Sequence, residues 1–220
     1  MIIFNLHFER CGGTSLSAYL EANAEVFIRF KGYKTGDMPI TILADDTVVH
    51  GHFEFGIHEQ CEFMNTGSGD FVYTTFIRHP VERFLNECYA CAYHEGYKNH
   101  QYVNEFDNPL EKAFEIEDHR NIYVKRLTGK FGEKVDGSDF SLACDRLREL
   151  DFIGNFHNMQ SELDRFADRY GLPRNKLPHY NAGGGKYTME KISQKQLGLA
   201  YELNALDCTL YHQLLKGEIL

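Results

Sequence analysis

Strands that alternate with helices predict an α/β layered fold built around a mainly parallel sheet. Two apolar runs carry that expectation, residues 1–8 and Phe71–Ile77, because each leads directly into residues at helical spacing. The third observation is the supply of core. Of the 220 residues 43% are hydrophobic and 14% aromatic, enough for one substantial domain over residues 1–220. No internal repeat and no long linker divides that span.

Residues 1–8 read as a buried strand, and 14–24 as a helix with Leu16, Leu20 and Ala24 on one face. Short strand-like runs follow at Val26–Phe30, Ile40–Leu43 and Thr47–His50, separated by Gly, Asp and Pro. Glu59–Met64 reads as a short helix, and 65–70 as a loop before the strand Phe71–Ile77. Pro80, suited to a first helical position, opens a long helix with Val81, Phe84, Leu85, Cys88 and Ala92 along one stripe. Helices are expected over Leu110–Ile116, Asn121–Leu127 and Phe140–Leu150, then a short strand over Asp151–Gly154. A helix over Ser161–Tyr170 is stopped by Gly171 and Pro173. The C-terminal part is helical, with Leu199, Leu203, Leu206, Leu210 and Leu214 as the buried stripe of one helix.

The formal net charge of −9 argues against a chain that tracks nucleic-acid backbone, which needs a basic face. It also weighs against a long polyanionic substrate, unless basic residues are concentrated on one side. Six cysteines are spread without dense spacing, and Cys88-x-x-Cys91 falls inside a helical stretch rather than before one. Reduced, structural thiols are therefore expected, not a redox motif. The opening apolar run is too short to span a bilayer and lacks the features of a leader, so a cytoplasmic chain without stable membrane insertion is expected.

Three segments carry chemistry. The first is His7-Phe-Glu-Arg10-Cys11-Gly12-Gly13-Thr14-Ser15, a strand running into paired glycines and a helix start. Glycines let backbone N–H groups approach an oxyanion, and the helix N-terminus adds partial positive charge. The alternative is that the glycines only permit tight strand–helix packing. The usual nucleotide P-loop spacing, G-x-x-x-x-G-K-[ST], is absent. The second segment is Ile77-Arg78-His-Pro80-Val-Glu-Arg-Phe-Leu-Asn86. Arg78 leaves the carboxyl end of a strand, where α/β proteins place ligands, and can fork onto a phosphate with Asn86 as a neutral donor. A helix cap or an ion pair is the other reading of Arg78. The third segment is His50-Gly51-His52, two histidines on one face of a strand. A near-neutral imidazole suits removal of a hydroxyl proton. Packing, or a metal held by His50, His52, His58 and Cys61, are the alternatives, although that spacing fits no zinc pattern.

The first two segments together resemble the carbohydrate sulfotransferases. The turn is similar to their 5′-phosphosulfate loop (typically H-x-P-K-T-G-G-T-S-L), and residues 77–89 to their 3′-phosphate segment (typically R-D-P-V-x-R-F-x-S-x-Y). The likeness is greatest to the uronosyl (heparan sulfate) 2-O-sulfotransferase-like branch. Further echoes are His50-Gly51-His52, Leu177-Pro-His-Tyr-Asn181 and the terminal L-x-x-L-D-x-x-L-Y at 203–211. The resemblance implies a P-loop-like three-layer fold and the co-substrate 3′-phosphoadenosine-5′-phosphosulfate, with no metal. It implies that Arg10 stands for the family lysine at the leaving-group end, and that Cys11, Gly12, Gly13, Thr14 and Ser15 wrap the phosphosulfate. Arg78 and Asn86 match the 3′-phosphate positions, and Lys186 in the loop 181–188 is a further candidate over the adenosine phosphates. His52 matches the general base, with His50 its partner or an acceptor contact.

Three positions depart from the pattern: Glu9 for proline, Arg10 for lysine and Asn86 for serine. The expected activity is sulfuryl transfer to a hydroxyl-bearing acceptor, a carbohydrate or small molecule, with no nucleic-acid partner. The rivals are a P-loop-type phosphotransferase, for which no Walker lysine is found, and a nucleotide-binding module on the same fold that has lost turnover.

Overall fold

The computed structural model describes residues 1–30, 41–63, 70–93, 109–178 and 192–219. Its centre is a five-stranded sheet in which every pairing is parallel. The strands are β1 (Ile2–His7), β2 (Val26–Phe30), β4 (Thr47–Gly51), β6 (Phe71–Ile77) and β7 (Phe152–Asn155), in the order β2-β4-β1-β6-β7. β3 (Thr41–Leu43) and β5 (Cys61–Phe63) form a separate parallel pair. The helices are α1 (Gly13–Asn23), α2 (Pro80–Tyr93), α3 (Pro109–Phe114), α4 (Ile122–Thr128), α5 (Gly137–Arg148), α6 (Met159–Tyr170), α7 (Gln194–Leu203) and α8 (Ala205–Leu215).

The alternation of β1 explains the layers. All six of its residues are buried, as a central parallel strand requires. Ile2, Phe4 and Leu6 face a core shared with Tyr123, Val124 and Leu127 of α4, Leu147 of α5 and Leu210 of α8. Ile3 faces the opposite core, with Leu16, Tyr19 and Leu20 of α1 and Leu163 and Phe166 of α6. Helices thus cover both faces, giving the three layers that the sequence predicts. A third cluster joins Val81, Phe84 and Cys88 of α2 to Leu110 and Phe114 of α3 and Ala200 of α7.

Two expectations fail. Residues 59–63 do not make the helix expected over Glu59–Met64, whose last residue lies outside the described ones: a 3-10 turn over Ile57–Gln60 enters at Gly56, whose φ is 99°, and Cys61–Phe63 then becomes β5. Runs this short carry no usable periodicity, and tertiary pairing decides them. The terminal helix is two helices, broken at Asn204, whose Nδ2 donates to the Ala200 carbonyl at 2.9 Å. That side chain competes with the helical ladder, as asparagine does. Leu199 accordingly leaves the predicted stripe and is 38% exposed, while Leu210 and Leu214 remain buried. Ile40, residues 65–69 and the loop 181–188 lie outside the described residues.

The strand order creates a switch. From β1 the chain passes through α1 toward β2 on one side, and from β6 it proceeds to β7 on the other. Neighbouring strands whose connections diverge leave a crevice at their carboxyl ends, where open α/β sheets bind ligands. The two strands flanking this crevice are β1 and β6.

Candidate functional site

The glycine turn closes β1 at this crevice. Cys11 N–H donates to the Phe8 carbonyl at 3.3 Å, and Arg10 and Gly12 take left-handed φ values of 63° and 79°. Alternating backbone of this kind is one that can present N–H groups to an anion. Gly12 caps α1 and brings no side chain to its first turn. Thr14 is exposed and Ser15 partly buried at that helix start, whereas Cys11 is fully buried. Burial pushes the Cys11 thiol up to about 11, which makes it structural rather than nucleophilic. Gly13 serves a different end: a Cβ there would lie 1.9 Å from Nε2 of His7, so any side chain would displace that ring.

A histidine shelf lies beside the turn, at the end of β4. The His7 ring stands 5.2 Å from His50 and 4.8 Å from His52, between centroids. His50 is 3% exposed, with Nδ1 2.7 Å from Asn5 Oδ1. The Asn5 amide in turn donates to Thr74 at 2.9 Å, so its oxygen accepts and His50 Nδ1 carries the proton. Burial, then His52 and Arg29, lower the His50 imidazole to about 3. His50 is therefore a neutral supporting group and not a proton acceptor near neutrality. His52 sits one residue beyond β4 and is a third exposed. Its Nδ1 is 3.1 Å from the His7 carbonyl. A carbonyl only accepts, so Nδ1 holds the hydrogen and Nε2 is the basic nitrogen of the ring.

Glu9 belongs to this shelf. Its Oε1 is 3.5 Å from His52 Nδ1 and 2.5 Å from Arg126 Nη2. Burial alone would raise the carboxyl, but His52 and Arg126 bring it down to about 2. Arg126 is fully buried, also donates to the His52 carbonyl at 2.8 Å, and lies over the Phe131 ring at 3.8 Å. The Glu9 carboxylate is thus ion-paired and close to the histidine.

Arg78 stands on the other side of the turn, at the end of β6. Its Nε donates to Glu82 at 3.1 Å, and its guanidinium lies 4.7 Å over the Phe156 ring. Phe156 also touches the turn, 3.1 Å from where a Gly12 Cβ would stand. Asn86 Nδ2 donates to the Glu82 carbonyl at 2.7 Å, which commits one of its two amide hydrogens within α2. Arg10 Nε donates to the buried Glu87 carboxylate at 2.6 Å. Lys186 lies outside the described residues.

Tyr123 ties the two phosphate-type segments together. Its hydroxyl donates to the Arg78 carbonyl at 2.7 Å, accepts from Arg78 N–H at 3.1 Å, and is 3.5 Å from Cys11 Sγ. Sequence reasoning missed Tyr123, Arg126 and His7. The first two sit in α4, where residues 122–127 are all buried and read simply as core. His7 stood inside the turn motif, and its place at the carboxyl end of a strand was the available signal. His58 stacks on Phe71 at 4.4 Å and bonds Tyr73, so His50, His52, His58 and Cys61 do not converge. A separate hollow of about 430 Å³ lies at the opposite end of β6, lined by Phe55, His58, Tyr73, Asp151 and Arg169, and shares no residue with the glycine turn, the histidine shelf or Arg78.

The fold and this edge define an α/β parallel-sheet protein with an anion-type turn flanked by an arginine and a histidine shelf. No protein-family model matches the chain, and no curated protein matches it. Among the described residues no helix is long and apolar enough to cross a membrane.

Proposed function

We propose that this chain is a sulfotransferase that moves a sulfuryl group from 3′-phosphoadenosine-5′-phosphosulfate to a hydroxyl of a carbohydrate or small molecule. One observation carries the reading: the three segments that resemble the family end three adjacent strands, β4, β1 and β6, at the same sheet edge. The glycine turn holds the 5′-phosphosulfate through its backbone, and Arg78 takes the 3′-phosphate in exchange for Glu82. His52 Nε2 accepts the acceptor's hydroxyl proton as the oxygen bonds to sulfur. The sulfur–oxygen bond to the phosphate breaks, and adenosine 3′,5′-bisphosphate leaves. Glu9, beside His52 Nδ1, stabilises the imidazolium that forms, much as a buried carboxylate does in a catalytic triad. Arg10, beside the turn, supplies positive charge at the leaving group. Six free thiols, five of them buried, fit a reducing, cytoplasmic setting.

Thermal shift with adenosine 3′,5′-bisphosphate and, separately, ATP tests the reading. Stabilisation by the bisphosphate at concentrations where ATP has no effect supports it. Preference for ATP replaces it with a phosphotransferase, and indifference to both removes the donor site.

A further inference from the structure

We propose that Glu87, Cys91 and His119 form a site for one divalent cation of the zinc type, beside Arg10. All three residues are buried. Cys91 Sγ is 3.8 Å from His119 Nε2, His119 Nε2 is 3.9 Å from Glu87 Oε1, and Glu87 Oε1 is 4.0 Å from Cys91 Sγ. The same three atoms therefore make a nearly equilateral triangle. Its centre is about 2.3 Å from each corner, the length of a zinc–sulfur bond and a little over a zinc–nitrogen or zinc–oxygen bond of ~2.0–2.2 Å. The carboxylate and imidazole are too far apart to hydrogen-bond, yet stand as two ligands of one ion stand.

Each ligand is held by its element. Glu87 and Cys91 are one turn apart on α2, on one face. His119 ends the 3-10 turn Glu117–His119, whose carbonyl at His119 accepts from the buried Arg83 guanidinium. The other ring nitrogen, Nδ1, faces Cys88 Sγ at 4.0 Å, which turns Nε2 toward the triangle. Glu87 Oε2 accepts from Arg10, so the carboxylate is oriented by a second residue, as metal-bound carboxylates are. One sulfur, one imidazole and one carboxylate suit zinc or cobalt, whereas magnesium and calcium take oxygen alone. Three protein ligands leave the fourth tetrahedral position to a water molecule.

Cobalt(II) titration of the chelator-treated chain provides the test, because a cysteine ligand gives a thiolate-to-cobalt charge-transfer band. One equivalent is expected to bind with that band, zinc is expected to displace it, and magnesium is not. Cys91→Ser should remove the band and weaken binding by at least roughly 100-fold, since changes outside the first ligand shell alone reach 10–100-fold. Cys144→Ser, a buried thiol of α5, should leave both unchanged. No band in the unaltered chain overturns the site, as does a band that survives Cys91→Ser. If Cys91→Ser does not fold, His119→Gln replaces it: unweakened binding in that variant overturns the site equally.

Discussion

At the scale of single residues, the assignment of roles rests on which atom of each side chain is already engaged. His52 gives Nδ1 to the His7 carbonyl, which makes Nε2 its basic nitrogen, while His50 spends Nδ1 on Asn5 inside the sheet. Their separation by one glycine hides this difference in the sequence. Removing His52 should therefore act on transfer and not on donor binding. His52→Ala is expected to lower turnover by about 10²–10⁴, the range of general-base catalysis, with bisphosphate affinity unchanged. Measured turnover near the parent value would take the histidine out of the reaction. Glu9 shows the opposite lesson. It reads as an anomaly beside an anion site, and its reason lies 117 positions away at Arg126. No local pattern reveals a partner so distant.

At the scale of elements, α4 is the piece that unites the site. Tyr123 and Arg126 reach from it to the Arg78 backbone and to Glu9, respectively. Its own start is secured by Asp207 of α8, which accepts from Tyr123 N–H and Val124 N–H, each at 3.0 Å. Asn121 and Asn204 reciprocate: the Asn204 oxygen accepts from Asn121 N–H, and the Asn121 oxygen from Leu206 and Asp207 N–H. Asp207→Ala leaves two buried donors without acceptors and removes a helix cap, a loss of about 2–4 kcal/mol. Urea unfolding measures it, and hydrogen exchange should quicken in Ile122–Thr128 before it does in β1. An unchanged midpoint would deny α8 its anchoring role. The helices themselves were largely legible, because Val81, Phe84, Leu85 and Cys88 stand at helical spacing and are all buried. Their mutual capping was not, because it depends on side chains that meet only after the chain folds back.

At the scale of the whole molecule, the parallel sheet and its two helical faces follow from the alternation that the sequence displays. The separate β3–β5 pair and the break at Asn204 do not, since three-residue strands and single side-chain bonds leave no periodic trace. The buried histidines also give the molecule a predictable response to acid. His50 is lowered from 6.5 to about 3 and His7 well below 6.5, in both cases by burial first. In the unfolded chain they take protons once the pH falls below 6.5, whereas in the folded chain they resist, so stability declines on acidification from that point. Each contributes at most about 1.4 kcal/mol per pH unit. Asp207, raised from 3.8 to about 6 by burial, works in the other direction, because the folded chain keeps its proton between those values. Glu9, lowered from 4.5 to about 2, adds a further loss as the pH falls through that lower range. Unfolding midpoints from pH 7 down to pH 5 should therefore fall, and His50→Gln should make the decline shallower by the share of one proton. Equal slopes in the two proteins would rule out His50 as a source.

The bonds between α4 and α8 also set an order of events during synthesis. The glycine turn, the histidine shelf and Arg78 are all made within the first 80 or so residues. The helix that joins them is capped by Asn204 and Asp207. A nascent chain released only as far as α7 thus has every ligand-facing segment and lacks the clasp that sets their spacing. The proposed donor site would then be assembled late and abruptly, once α8 has left the ribosome.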